Sequence, residues 1–428
     1  MKKFLALLLS LVMVLALVAC GDKKDDTNTD DQDNNDAANF KVGFIMLHDE
    51  NSTYDLNFIN AAKEASEKLG VEYTIVTNVP EGQECYEAAV DMVDKGCNII
   101  FADSFGHEPY MIQAAQEFPE VQFCHSTGTR AHTEGLANYH NAFASIYEGR
   151  YLAGIAAGMK LNEMIENGTE INGVKVTKEN AKIGYVGAFT YAEVVSGYTS
   201  FFLGARSVCP TVTMDVTFTG SWYDEALEKE GAQLLIDKGC NLISQHADSL
   251  GAPTACENAG VPNVSYNGST KDAGPNTYII SSRINWAPYY EMAIKAVMDG
   301  TEIPADWTGD LSTGSVVLTE LNTDVAAAGT QEAIDAAMAK LEAGELHVFD
   351  VSTFTTKADD TMNSFKVDFL KVDAEGHITS YMADVDTDQA YTGDTEVVHD
   401  GYFSESEFRS APYFDLQIDG INLLNTAM

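Results

Sequence analysis

The stretch Asp94-Lys95-Gly96-Cys97-Asn98-Ile99-Ile100 constrains this chain most, because it occurs twice, returning as Asp237-Lys238-Gly239-Cys240-Asn241-Leu242-Ile243. Each copy follows an amphipathic helical pattern, Tyr86 to Val93 in one and Ala226 to Ile236 in the other. In each, glycine falls where the helix must stop, since it takes the left-handed cap conformation without a Cβ clash. The apolar run after it reads as a buried strand. Both copies then reach an Asp-Ser pair, Asp103-Ser104 and Asp248-Ser249, with glycine close behind. Lys41-Val42-Gly43-Phe44 and Lys182-Ile183-Gly184-Tyr185 form a second matched pair at nearly the same offset. Two similar α/β lobes, each opening on a parallel strand, satisfy this pattern. Ligands of open α/β sheets sit beyond the carboxyl ends of strands. Both Asp-Ser pairs fall at such ends, so two lobes facing each other there enclose a cleft.

In chain order, strands are predicted at Lys41 to Leu47, Tyr73 to Thr77, Asn98 to Ala102 and Val121 to Cys124, with helices between them, which describes a parallel sheet. The polar segment Ser126 to Asn141 reads as the first crossover between lobes, and Asn267 to Trp286 as the second. Phe143 to Leu161 reads as a helix with a small-residue stripe at Ala153, Ala156 and Ala157. Strands and helices then alternate from Lys182 to Asn267. Tyr289 to Met298 and the alanine-rich Val325 to Ala343 are helical. Val348 to Phe354, Ser364 to Val372 and His377 to Met382 alternate like antiparallel strands. The expected division is lobe 1 from residues 40–125 and 286–347, lobe 2 from residues 126–285, and an accessory β region at 348–428.

The amino terminus has a basic start, Met1-Lys2-Lys3, and an apolar run from Phe4 to Val18, which is a signal-peptide pattern over residues 1–19. Leu17-Val18-Ala19-Cys20 resembles the bacterial lipobox, which implies cleavage before Cys20 and its acylation. Gly21 to Ala38 is almost all Asp, Asn, Lys and Thr and cannot bury enough surface to fold; residues 20–39 read as the lipidated cysteine and a flexible acidic tether. A formal charge of −40 argues against nucleic acid or an anionic membrane face as partner. The six cysteines after Cys20 are an even number in an exported chain, but Cys97 and Cys240 occupy matched positions entering strands, where Cys acts as a small hydrophobe. No Cys-x-x-Cys pair exists, and no metal is expected.

The chain lacks a Gly-x-Ser-x-Gly elbow, a His-Glu-x-x-His pair and a Gly-x-x-x-x-Gly-Lys phosphate loop. Cys124 and His125 are adjacent in a strand and point to opposite faces, so they form no dyad. A binding protein without cofactor is expected rather than an enzyme such as a nucleoside hydrolase.

With the lipobox, the repeat and the loop Asn51-Ser52-Thr53-Tyr54-Asp55 in view, the chain resembles the basic membrane protein (PnrA-like) family of substrate-binding lipoproteins of ABC importers. Tyr151-Leu152-Ala153-Gly154, Tyr185-Val186-Gly187-Ala188 and the late helix from Val325 to Leu341 with Gly344 carry the likeness over about Phe40 to Asp350. The resemblance implies the type I periplasmic-binding fold, α/β with two Rossmann-like lobes, and a location outside the cell membrane. It also implies a permease partner with a separate ATPase chain, and a purine nucleoside as ligand. Departures exist. The family's Lys after the late strand is replaced here by Arg283 or Asn285. The Asn285-Trp286 pair, with Ser221-Trp222 and Gln245 to Ser249, looks like a branch linked to purine bases. Residues 364–428 exceed what the family needs.

Flat heteroaromatic ligands need a stacking surface and a few in-plane polar groups. Tyr54, Trp222 and Trp286 lie where strands end; Trp222 and Trp286 are the expected ring platforms, with Phe189 a third candidate. Asp55, Asp103 and Asp248, with Ser104 beside Asp103, are placed to accept from ring N–H, amino or ribose O–H groups. Asn57, Gln245 and Asn267 are candidates to read base edges, and His246 to donate or accept. A simple sugar satisfies the same residue types, and delivery to a sensory receptor the same architecture.

Overall fold

A computed structural model describes residues 40–356, 368–385 and 393–427. The signal peptide, Cys20, the tether and part of the segment from Ser364 to Val372 lie outside the described residues. Chain order begins with β1 (Lys41–Ile45), α1 (Thr53–Leu69), β2 (Glu72–Val76), α2 (Gln83–Asp94), β3 (Ile99–Ala102), α3 (Glu108–Glu117), β4 (Gln122–Ser126) and β5 (Tyr139–Ala144). It continues with α4 (Ile146–Asn167), β6 (Lys182–Gly187), α5 (Ala192–Val208), β7 (Thr213–Phe218), α6 (Glu225–Asp237), β8 (Leu242–His246), α7 (Gly251–Ala259) and β9 (Asn263–Tyr266). Then come β10 (Tyr278–Ile284), α8 (Ala287–Asp299), β11 (Asp306–Gly309), β12 (Val316–Leu318), α9 (Thr330–Glu342) and, far downstream, β13 (Ile421–Leu423).

The repeat does what its residue types dictate. Gly96 and Gly239 sit at φ 83° and 84°. The amides that follow, of Cys97 and Cys240, close back on the carbonyls of Met92 and Leu235, which ends both helices in the same Schellman manner. The repeated asparagine has a role of its own. Asn98 Oδ1 accepts from the Lys41 amide and Asn241 Oδ1 from the Lys182 amide, each at 3.0 Å. Each asparagine thereby seats one strand beside the first strand of its sheet.

Those strands make two sheets. One has the order β11-β5-β4-β3-β1-β2 and is wholly parallel. The other has the order β12-β10-β9-β8-β6-β7-β13 and is parallel apart from the β10–β12 pair. The chain passes between the two lobes after Ala144, after Ile284 and after Gly309. The crossover expected at Ser126 to Asn141 therefore lies later, because Tyr139–Ala144 forms a strand of the first sheet. Its polar residues are absorbed locally: His140 bonds Gln122 and the Pro304 carbonyl, and Asn141 accepts from the Ala131 amide. The return to lobe 2 at residues 310–315 was not foreseen, and it places α9 against α4 rather than in lobe 1.

Helices α4 and α5 approach backbone to backbone. A Cβ on Gly154 would lie 2.0 Å from the Phe201 carbonyl oxygen, and one on Gly204 2.0 Å from that of Tyr151. Glycines, beside the buried Ala153, Ala156 and Ala157, set this contact. The described part of the region after residue 347, expected as an accessory β region, packs into lobe 2. Phe349, Phe354, Tyr381, Phe403 and Phe414 join one continuous core with lobe 2, and β13 is the seventh strand of its sheet. Leu370–Val372 and Ile378–Ala383 do pair antiparallel. Val348 to Phe354 is instead a turn with one bridge, Asp350 to Tyr402.

Candidate functional site

The two sheets present the carboxyl ends of β1, β3, β6 and β8 to each other. On the lobe 1 side, α1 begins at Ser52, whose hydroxyl caps the Asp55 amide at 3.1 Å and donates to Asp55 Oδ2 at 2.6 Å. The His48 amide gives Asp55 Oδ1 a 2.7 Å bond. Burial works to raise the Asp55 carboxyl, but the His48 ring, whose Nδ1 lies 3.4 Å from Oδ2, and then the Ser52 hydroxyl and the His48 amide overcome it and hold the group below its ordinary range. Asp55 is fully buried; it locks the loop from His48 to Ser52 and does not line the cleft. Asp103, also fully buried, accepts from the Leu47 amide at 3.0 Å. Burial, and then the Asp55 charge, push its carboxyl well above the ordinary value. Tyr54 donates to the Asp103 carbonyl at 2.6 Å, which turns its ring toward the gap.

On the lobe 2 side, the turns after β6 and β7 build an aromatic wall. Phe189 stacks on Tyr191 at 5.1 Å and meets Trp222 edge-on at 5.1 Å. The Trp222 carbonyl is pinned by the Asp248 amide at 3.0 Å. His246 packs against the Tyr266 ring at 4.5 Å, with Nε2 3.4 Å from Glu193 Oε1. Burial lowers the affinity of His246 for a proton, partly offset by Glu193. Burial, followed by the charge of Asp55, pushes the Asp248 carboxyl well above its usual range.

Between these walls lies a narrow cavity of about 20 Å³, room for little more than a water molecule while the lobes are in contact. Lobe 1 contributes Leu47, Tyr54, Ser104, Phe105 and Thr127; lobe 2 contributes Glu193, Trp222, His246 and Asp248. Direct contacts bridge the lobes around it. The Thr53 amide and hydroxyl both donate to the Asp248 carbonyl, at 3.0 and 3.2 Å. Asn57 Nδ2 donates to the Asn267 carbonyl at 2.8 Å. Phe105 faces Tyr191, and His48 faces Tyr223, at 5.3 and 5.5 Å.

Of the residues singled out by sequence, Tyr54, Ser104, Trp222, His246 and Asp248 converge on the cavity. Phe189 stands behind Trp222. Asn57 and Asn267 clasp the lobes together instead of facing the gap, and Asn267 Nδ2 lies 3.3 Å from Asp248 Oδ1. Gln245 is buried and accepts from Asn263 at 2.9 Å. Trp286, expected as a platform, lies in the lobe 1 core, stacked on Phe58 at 4.5 Å and edge-on to Phe143. The Asp-Ser pairs are also not equivalent. Sheet register aligns Asp103 with His246, because Ala102 pairs Ile45 as Gln245 pairs Val186; Asp248 falls two residues later.

Sequence reasoning missed Leu47, Phe105, Thr127 and Glu193. Glu193 is an acid in the first turn of a helix after a glycine-ended strand, a signal that was legible. Thr127 is a β-branched residue at φ 73° with a buried hydroxyl lacking a hydrogen-bond partner. Such strain gathers at functional sites, and nothing in the sequence marks it. Arg150 was missed too. It is fully buried behind the cleft wall, donates to the Tyr185 hydroxyl at 2.5 Å and lies 4.7 Å from the Tyr266 ring.

Comparison with known proteins agrees with this architecture. The family profile described as ABC transporter substrate-binding protein, PnrA-like, matches residues 43–344. A purine-binding protein of Brucella abortus is 34% identical over 61% of this chain and 69% of its own length. A putative ABC transporter glucose-binding protein of Haloferax volcanii is 32% identical over 75% of each. A solved ABC transporter solute-binding protein from Aeropyrum pernix superposes with a TM-score of 0.60 at 18% identity, over 77% of this chain and 96% of its own. One from Conexibacter woesei gives 0.58 at 22%, over 72% and 98%.

Proposed function

Because the chain belongs to the PnrA-like family of ABC transporter substrate-binding proteins, we propose that its cleft captures a purine base or nucleoside and hands it to a permease served by a separate ATPase chain. The family acts outside the cytoplasm as the capturing component of a transporter, not as an enzyme, and this chain shares that class of task. The observation that carries the ligand reading is the wall of Phe189, Tyr191 and Trp222 facing Tyr54 and Phe105, with the Asp248 carboxyl at its edge. A flat ring inserted there is stacked by aromatic surface, and the Asp248 carboxyl is placed to hydrogen-bond the edge of a ring that carries nitrogen or amino groups. The Brucella relative supports the same ligand class.

In this reading the clasps of Thr53 and Asn57 belong to the closed form. Rotation about the crossings near residues 145, 285 and 310–315 opens it. The anchor is a lipid on Cys20, supported by Leu17-Val18-Ala19-Cys20; Cys20→Ala should release the protein from the membrane fraction, and retention would remove the anchor from the account.

A thermal-shift series on residues 39–428 tests the ligand, since binding to the native state alone raises the melting point by mass action. Adenine, guanine, hypoxanthine, their nucleosides and glucose are compared. A rise with a purine is expected. A second reading, a hexose, is favoured by the Haloferax relative; a rise with glucose and none with purines would replace the first.

A further inference from the structure

A second cavity, of about 300 Å³, opens where the first turn of α4 meets the end of α9 and the segment from Tyr402 to Glu407. Part of its wall comes from residues beyond 344, outside the family match. Two of its carboxyls have an oxygen with no hydrogen-bond partner: Glu148 Oε2, on α4, and Glu405 Oε1, on the downstream segment. Glu405 is 4% exposed. Its other oxygen accepts from the Tyr413 and Phe414 amides at 3.3 and 2.8 Å. The Ser196 hydroxyl acts on the Glu405 carboxyl as a hydrogen-bond donor that favours its charged form, although neither Ser196 Oγ nor Glu405 Oε1 has a partner of full hydrogen-bond geometry. Arg409, the cation acting on Glu405, donates its hydrogen bonds to the carbonyls of Asp384, Val385, Ala411 and Pro412. A third carboxylate, Glu407, is already paired with His399 at 2.8 Å.

We propose that this cavity is a second binding site, taking a short aliphatic diamine whose ammonium groups pair with Glu148 and Glu405. A buried carboxyl oxygen without a donor has given up water without gaining a hydrogen bond, and an ammonium supplies the missing donors. The acids sit on two different elements, which suits a ligand charged at both ends. The wall also carries Leu341 and Phe349, against which a methylene chain sheds water while its heads reach polar partners. A metal fits poorly, because among the described residues no group of three His, Cys, Asp or Glu side chains is arranged to hold one. Burial pushes both Glu148 and Glu405 up to about 7. At Glu148 the Leu311 amide opposes the rise and the charges of Asp310 and Glu342 add to it; at Glu405 hydrogen bonds from Ser196 and from the Tyr413 and Phe414 amides oppose it, followed by the Arg409 charge. His347, Tyr402 and Glu407 line the same space. A dication therefore drives proton release when it binds below neutral pH.

Calorimetric titration of the protein with 1,4-diaminobutane tests this, in the presence and absence of saturating adenine. One equivalent should bind at pH 8 with the same affinity in both conditions. At pH 6.5 the heat should vary with the ionisation enthalpy of the buffer, which reports protons released. Glu148→Gln and Glu405→Gln should each weaken binding at least tenfold while leaving the response to purines intact. Glutamine imitates the neutral acid, so folding should survive, and if one variant does not fold the other decides. No binding at millimolar diamine, competition with adenine, unchanged affinity in the variants, or magnesium binding as well as the diamine would each overturn the proposal. Failure here leaves the cleft reading untouched, and failure of the cleft reading leaves this site untouched.

Discussion

The two lobes agree at Asn98 and Asn241 and diverge five residues later. Up to that point they share a helix stop, a cysteine packed beneath it and an asparagine that seats the strand. Beyond it, lobe 1 places Asp103 where lobe 2 places His246. Lobe 1 thereby buries a pair of acids, Asp55 and Asp103, behind its cleft face; lobe 2 brings a neutral histidine and an aromatic wall to its face. The preceding helices differ in the same way. The buried Cys85 of α2 corresponds to the buried Glu228 of α6. Glu228 holds the Ser249 amide at 3.2 Å, whereas in lobe 1 that loop is held by Glu81, which accepts from the Gly106 amide at 2.8 Å. What repeats is what closes a helix and seats a strand. What varies is what the strand ends present to a ligand.

The sharpest way to break this contrast compares the two tryptophans. Trp286→Ala should cost about 3–5 kcal/mol of stability, as large aromatic truncations in packed cores do, measured by denaturant unfolding. Trp222→Ala should leave unfolding nearly unchanged and cost about 2–3 kcal/mol of ligand binding, measured by titration with whichever purine shifts the melting point. The reverse pattern would mean that the lobes have exchanged roles.

Glu228 offers a pH test confined to one lobe. Burial raises its folded pKa to about 7 from an ordinary value near 4.5. The unfolded chain therefore ionises first, and stability is lost as pH climbs from about 4.5 to about 7. Glu228→Gln should remove that share of the loss and be more stable than the parent above pH 7 by on the order of 2 kcal/mol, with little difference near pH 4.5. Melting curves across that range with parallel slopes would refute the assignment. The smallest effect sharpens the likeness instead. Asn241→Ala and Asn98→Ala should each cost about 1 kcal/mol, with the larger loss at the buried Asn241.

The repeat made both lobes legible, because capping glycines and strand-entry residues act through neighbours a few positions away. β5 was misread because His140 and Asn141 are polar, and their partners, Gln122, Pro304 and Ala131, are set by tertiary packing. Trp222 and Trp286 look alike in sequence, each following a strand. Only the positions of Phe58 and Phe143 send one inward. Thr127 left no trace at all, since its backbone is forced by its surroundings. The six cysteines after Cys20 did behave as buried hydrophobes, each unpaired.

The strand β13 has a further consequence. It pairs with β7 in register from Ile421 to Leu423, and Asn425 then bonds the Phe218 amide and carbonyl, 207 positions back, at 2.8 Å each. A nascent chain therefore finishes the aromatic wall of its cleft long before it finishes the sheet behind that wall. Until residue 423 emerges, β7 is an open edge able to template pairing with other chains. A product broken between Asp248 and β13 would hold the lining residues of the cleft and still be marked as incomplete by an unpaired edge. Completeness of the polypeptide is thus recorded in the sheet, at a site remote from the ligand.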